Sequence, residues 1–368
     1  MIKAESYLGD RSKIIRNSHS MNSQVIECSF LHRLLVSVTT VALLFTLTGC
    51  TSQQGQSNNS AVASSNTGAN STTAKTQVLR VGFISSESKL PIGPEGWALQ
   101  KGKLTPALKS LGVTEVKFIP FVGGPALNEA LVSGQLDMGL YGDTPALVGR
   151  AAGLPTRLIN QTRVGQNAWL ITSKNGVGSV AQLKGTKIGV AKGTYPHRYL
   201  MGLLDKEGLA KDVKVVQIPA ADAKAALERG HIAAYPFAMG AGPTLASQGF
   251  PVIDQAKDHQ GLVGTGVSVV TENFLSRHPE LPQKWNQMRL QALQEIKANP
   301  EEFYQFAAQA SGNVPLAIAK ESYPINLYPT EPFTPEGLKL LNSTKQFLAE
   351  QKLLKSDFDI KDWQFPNP

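Results

Sequence analysis

Beyond position 50 the chain contains no cysteine; its two, Cys28 and Cys50, both precede the segment that reads as globular. Neither a disulfide framework nor a cysteine-based metal site is available to that segment, so its stability must come from packing. No Gly-x-x-x-x-Gly-Lys-Ser/Thr loop occurs, so any ATP-driven step belongs to another chain. His231, His259 and His278 are scattered and match neither a His-Glu-x-x-His zinc pattern nor a triad with a nucleophile elbow. No catalytic residue, metal set or cofactor motif is therefore assigned. Lysine and arginine number 36 against 28 acidic residues, and 31 against 25 remain once residues 1–49 are set aside. The excess forms no run, which argues against nucleic-acid binding, and a mild positive field suits a small anion.

What is present begins with an address. Arg33 precedes an apolar stretch at 34–47, interrupted only by Ser37, Thr39, Thr40 and Thr46, and the stretch ends at Leu47-Thr48-Gly49-Cys50. Its 14 residues fall short of a bilayer-spanning helix and fit an export signal, residues 1–49, with Met21 as an alternative start. Residues 51–75 are nearly all Ser, Thr, Asn, Gln, Gly and Ala with one charge. Such a segment cannot bury enough apolar surface to offset its ordering entropy, so residues 50–76 are expected to form a flexible tether.

The remaining chain, from about Gln77, has room for two domains of ordinary size. Residues 79–84 and 116–121 read as strands, and a helix follows Gly123-Gly124-Pro125 and stops at Gly134. Leu136, Met138 and Leu140 alternate as a strand, Gly142 allows a sharp exit, and Asp143-Thr144-Pro145 opens a helix. Strands at 156–160 and 169–172 follow, and then the pattern restarts at 187–191. This βαβα order predicts mostly parallel sheets in an α/β fold. Ala130-Leu131-Val-Ser-Gly134-Gln-Leu136 echoes Ala226-Leu227-Glu-Arg-Gly230-His-Ile232, each a helix end, a glycine stop and a strand start. The expected division is one lobe from 77–168 plus 267–368 and a second from 169–266, joined by two crossings that form a hinge. Mainly helical sequence after Gln283 is expected to pack on the first lobe.

The order Leu79-Arg-Val-Gly-Phe, Gly134-Gln-Leu-Asp-Met-Gly-Leu-Tyr-Gly-Asp-Thr-Pro145, Val180-Ala-Gln-Leu-Lys-Gly-Thr-Lys-Ile-Gly-Val190 and Ala221-Asp-Ala-Lys-Ala-Ala226 resembles the substrate-binding proteins of ABC importers for aliphatic sulfonates, nitrate and taurine. Leu47 to Cys50 resembles a lipoprotein lipobox, which implies lipidation of Cys50 and anchoring to a membrane. The resemblance further implies a periplasmic-binding-protein-like type II fold, a small anionic solute captured between two lobes, and delivery to a permease and a separate ATPase. A monomer is expected. Where sulfonate binders carry a Trp-Asp-Pro-like run, this chain has Ala234-Tyr235-Pro236-Phe237, so the solute stays open among sulfonates, taurine, nitrate, sulfate esters and thiamine-precursor pyrimidines. A fold-related pyrimidine-synthase-like enzyme and a sensor component are the rival classes.

Ligands of open α/β sheets sit beyond the carboxyl ends of the strands, where the turns supply the site. The candidates are Ser86 and Ser88 after the first strand, Gly124 after the second, and Gly142, Asp143 and Thr144 after the third. Gln166 and Asn167, before the crossing strand, are read as amide donors. Gly193, Thr194, Tyr195, His197 and Arg198 begin a second-lobe helix, and Tyr235 offers an aromatic wall. Backbone amides at 142–144 and 193–195 would meet anion oxygens. Asp143 is read as a helix cap or a ligand contact, while His197 and Arg198 either face the anion or pair at the surface.

Overall fold

The structure, a computed structural model, describes residues 77–85 and 88–365. The export signal, Cys50, the tether, Ser86 and Glu87 lie outside the described residues.

Ten strands form two five-stranded sheets. In chain order they are β1 (Gln77–Ile84), β2 (Val113–Phe121), β3 (Met138–Gly142), β4 (Thr156–Gln166), β5 (Ala168–Thr172), β6 (Lys187–Val190), β7 (Lys214–Gln217), β8 (Ala234–Ala238), β9 (Val252–Gln255) and β10 (Gly264–Thr271). The first sheet has the order β2-β1-β3-β10-β4 and the second β7-β6-β8-β5-β9. Matching β1 with β6, β2 with β7, β3 with β8, β4 with β9 and β10 with β5 gives one topology twice.

The sequence echo falls on equivalent places in that topology. Gly134 (φ 72°) and Gly230 (φ 68°) each adopt a left-handed turn before the third strand of their sheet. In both, the glycine N–H donates to the carbonyl of Leu131 or Leu227, and the next N–H donates to that of Ala130 or Ala226. A residue with a β-carbon is strained at such a helix stop.

The sheets are mixed. β1 pairs in parallel with β2 and β3, but β10 runs antiparallel between β3 and β4. In the second sheet β5 takes that place, antiparallel to β8 and β9. Each sheet thus receives into its interior the strand that arrives from the other. The βαβα reading missed this because an inserted strand comes from far along the chain. β10 also begins at Gly264 rather than at the expected 267, since Gly264 and Gly266 carry no β-branched signal.

Helices cover both faces of the first sheet. Trp97, Phe274, Trp285 and Phe303 lie on one side with Leu79, Val81 and Met138. Leu127, Leu147, Leu341 and Trp363 lie on the other with Val267 and Val269. Alternation along β5 does the same for the second sheet: Ala168 and Leu170 face Tyr199 and Leu203, whereas Trp169 and Ile171 face Leu227 and Phe250. These buried, interleaved faces are where the stabilisation lies, at roughly 25 cal/mol per Å² of apolar surface removed from water.

Two adjacent crossings connect the sheets. Only Asn167 separates β4 from β5, and residues 256–263 carry the chain back from β9 to β10. The Asn167 carbonyl accepts from the Tyr195 hydroxyl at 2.9 Å, its Oδ1 accepts from Lys257 N at 2.8 Å, and its Nδ2 donates to Gln255 Oε1 at 3.1 Å. Asn167 therefore ties the outgoing crossing to the returning one.

Candidate functional site

A cleft of about 810 Å³ is lined from both sheets. The turns after β1, β2 and β3 supply Ser85, Gly123 and Gly142, and those after β6, β7 and β8 supply Lys192, Pro219 and Met239. Every one of these strands points its carboxyl end at the cleft, the position that strand topology reserves for ligands.

The expected residues divide in two. Ser88, Gly124, Gly142 and Asp143 line the cleft from the first sheet, and Gly193, Thr194, Tyr195 and Tyr235 from the second. Thr144, Asn167, His197 and Arg198 are not among its lining residues. Several of the lining residues are also committed to internal contacts. A β-carbon at Gly124 would lie 2.2 Å from Pro145 Cβ, so this glycine lets two helices meet. The Tyr195 hydroxyl bridges Asn167 O and Met239 N, and the Tyr235 hydroxyl donates to Ile218 O at 3.2 Å.

Asp143 departs most from its expected roles. It is fully buried and begins the helix Asp143–Ala151, for which Gly142 is the N-cap and no side chain caps. Its Oδ1 accepts from Thr144 N at 2.6 Å and Thr144 Oγ1 at 3.0 Å. Its Oδ2 accepts from Thr265 N at 3.3 Å, Thr265 Oγ1 at 2.9 Å and Thr344 Oγ1 at 3.0 Å. The carboxylate therefore joins β3, β10 and the helix Pro335–Glu350. Thr144 spends both its amide and its hydroxyl on Asp143, which corrects the expectation that they face a ligand. A second anion beside this buried charge is disfavoured, so the turn at 142–144 is not an anion cradle.

The basic pair at the start of the helix Tyr195–Lys206 is likewise turned inward. Arg198, 4% exposed, donates to the carbonyls of Gly261 and Val263 and so clamps the returning crossing. Burial pulls its guanidinium below the ordinary value, and the Asp143 carboxylate offsets part of that. His197 packs edge-on against Phe347, with ring centroids 5.6 Å apart, and its Nδ1 accepts from Gly193 N at 3.3 Å. Burial, with Lys192 adding to it, pushes His197 down from 6.5 to about 4. Neither residue supplies the cleft with a cation. Thr194 caps this helix, its hydroxyl accepting from His197 N.

Two cations line the cleft, Lys192 after β6 and Arg163 on β4, and the motif reading did not select Arg163. Arg163 lines the cleft, donates through Nη2 to Ile92 O, and lies over the rings of Tyr323 and Tyr328 at 5.9 and 5.6 Å. Gln166, on the same strand, also lines the cleft and is 6% exposed. The signal that marks Arg163 was available: Asn160-Gln-Thr-Arg-Val-Gly-Gln166 is an unusually polar run inside a strand. Among the described residues no group of His, Cys, Asp and Glu is placed to hold a metal ion.

Two lobes of one topology, each sheet completed by a strand arriving from the other and sharing a cleft at the strand ends, define a periplasmic-binding-protein-like molecule of type II. The chain belongs to the NMT1/THI5-like family, whose profile matches residues 114–303. It is 26% identical over 336 residues to a Bacillus subtilis (strain 168) protein provisionally named an aliphatic sulfonates-binding protein, covering 88% of this chain and 92% of that one. It is 26% identical over 257 residues to the taurine-binding periplasmic protein of Escherichia coli (strain K12), covering 66% of this chain and 79% of that one. The crystal structure of the periplasmic aliphatic sulphonate binding protein SsuA from Escherichia coli matches with a TM-score of 0.64 at 21% identity, over 78% of this chain and 97% of that one. At that identity the structural likeness carries the fold.

Asp143→Ala is expected to lower unfolding free energy by about 3 kcal/mol, because it strands buried amide and hydroxyl donors. Urea denaturation checks this, and unchanged stability would remove the carboxylate from its linking role. His197 has a folded value below its unfolded one, so its contribution is complete above pH 6.5 and is lost as the pH falls toward about 4. The melting temperature should fall across that window, and less steeply in His197→Asn.

Proposed function

We propose that this protein is the solute-binding component of an ABC importer and captures a small organic anion of the sulfonate type. The observation that carries this reading is the cleft itself, where strand ends from two lobes converge on an arginine with no carboxylate partner among the described residues. The mechanism is capture without chemistry. An anion entering the cleft exchanges hydration for fixed donors, and lobe closure excludes water and strengthens those contacts. A permease and a separate ATPase subunit then receive the solute. Ser88, Gly124, Gly193, Thr194 and Tyr235 serve as walls of the site, and the names of the relatives favour a sulfonate or taurine.

A lipidated Cys50 would hold the domain to a membrane, facing the periplasm or the cell exterior, with residues 51–76 as its tether. Replacing Cys50 with serine should shift the protein from the membrane fraction to the soluble fraction; retention in membranes would reject the anchor.

A thermal-shift screen tests the solute directly, since a ligand that binds only the native state raises stability by about 2.7 kcal/mol at 100 times its Kd. Sulfonates or taurine should raise the melting temperature of the purified protein. A response only to a pyrimidine would overturn the anion reading, and turnover of any ligand would overturn the transport reading.

A further inference from the structure

We propose that the far end of the second lobe, centred on Lys187 and Lys214, docks on an anionic lipid surface. This face lies outside the cleft and its role is independent of which solute the cleft takes.

Strand direction places the face. β6, β7 and β8 point their carboxyl ends at the cleft, so their amino ends, at Lys187, Lys214 and Ala234, lie on the side away from it. β5 runs the other way, pairing Thr172 with Ala234, and so delivers Lys174 to the same end. The helix Ala220–Glu228 returns there from the cleft side and ends at Arg229. Lys174, Lys187, Lys214 and Arg229 are all exposed, and none has an ion pair among the described residues. The acids nearest to them in the chain are already used: Glu228 holds Lys224 at 2.7 Å and Asp212 holds Lys184 at 3.4 Å. Asp205 and Glu207 close the helix that packs on the opposite face of the sheet.

Lys187 and Lys214 are direct partners in the parallel ladder. Neighbouring strands lie about 4.8 Å apart, and paired residues send their side chains to one face. Alternation identifies that face. Ile188 and Val190 point into the core beside Tyr199 and Leu203, whereas Gly189 faces Ile232 and Tyr235, so Lys187 shares the Gly189 side. Val215 and Val216 divide in the same way, which puts Lys214 there too. Two like charges directly opposite one another destabilise a sheet. A lysine on an edge strand guards against pairing with another sheet, which accounts for Lys214 on β7 but not for Lys187 on the interior β6. An anionic surface outside the chain relieves the repulsion.

The donors suit lipid headgroups better than a single enclosed oxyanion. Three of the four cations are lysines, and a lysine is a compact, hydrated point charge without the planar fork that clasps one oxyanion. Anionic headgroups meet such charges at about a fivefold gain in binding for each. Docking there leaves the strand ends that line the cleft uncovered, and it would orient a chain that a flexible tether alone leaves free to turn.

Flotation of the purified protein with phosphatidylcholine vesicles, alone or containing about 30% phosphatidylglycerol, reads the preference for anionic lipid. An apolar anchor acts on both and cancels in the ratio of partition coefficients. That ratio is expected to be roughly 100-fold at low salt and to approach one in about 1 M salt, where the Debye length is about 3 Å. Lys214→Glu turns the like-charge pair into an opposite one. It should lower the ratio about 25-fold, fivefold for each of two charges, without lowering the melting temperature. Lys339→Glu, an equal charge change at an exposed site of the first lobe, should alter the ratio less than about twofold. A wild-type ratio near one overturns the proposal. Equal loss in both variants assigns the effect to net charge and overturns the location, as does an unchanged ratio in Lys214→Glu. Displacement of the vesicles by DNA duplex at equal phosphate concentration gives the face to a nucleic acid and overturns the lipid assignment.

Discussion

The carboxylate of Asp143 is the point on which the two-sheet arrangement turns. It lies at the end of β3 and accepts five hydrogen bonds, all from threonine amides and hydroxyls. A buried carboxylate is tolerated only when its lone pairs are met, and here they are met by three separate parts of the chain. Thr265 brings in the start of β10, which is where the chain re-enters the first sheet. Thr344 brings in the helix Pro335–Glu350, which covers that sheet. The pairing of Gly266 with Gly142 places β10 directly beside this anchor. The ladders to β3 and β4 and the burial of Val267, Val269 and Val270 hold the rest of β10, and the carboxylate fixes its start.

The same charge also decides the electrostatics of the cleft. A negative group fixed beneath the β3 turn repels anions from Gly142 to Thr144, and Arg198, which contributes a nearby positive charge, donates through Nη1 and Nη2 to the carbonyls of the return crossing. The cations that line the cleft lie away from that turn, Lys192 after β6 and Arg163 on β4. On β4 the aromatic rings of Tyr323 and Tyr328 flank the Arg163 guanidinium, which makes no ion pair among the described residues. Fold and site are thus linked at one residue: the carboxylate that fixes the start of β10 also sets the negative charge beneath the β3 turn.

Much of the architecture was legible because it is written in local grammar. Gly134 and Gly230 must be glycine where a helix stops in a left-handed turn, and their flanking residues betrayed a repeated unit. Alternation along β1 and β3 fixed strands and faces. The insertion of β5 and β10 was not legible, since antiparallel placement between distant strands leaves no local periodicity. The site was less legible than the fold for a related reason. A histidine and an arginine at a helix start look the same in sequence whether they face a ligand or a carbonyl, and only the packing against Phe347, Gly261 and Val263 settles which. Gln166 was read as an amide donor beside Asn167, whereas Arg163 announced itself only through polarity within a strand, a signal that motif reading passes over.

In the proposed role, the contacts of Arg163 Nη1 and Gln166 Nε2 with the Met239 thioether, at 3.8 and 3.1 Å, bear on how capture would be coupled to closure. Met239 follows β8, in the second sheet, so this contact joins the lobes across the cleft. Bonds from N–H groups to a thioether are weak, and they leave the guanidinium charge unanswered. An empty cleft therefore gains little by bringing the lobes together. An oxyanion in the same place answers the charge with hydrogen bonds about twice as strong as neutral ones and touches both lobes at once. A ligand shifts a conformational equilibrium only by its differential affinity for the two states. In the proposed role, replacing a poor acceptor by a charged one at the point where the lobes meet would supply that difference, so the weakness of the Met239 contact would make closure depend on the solute.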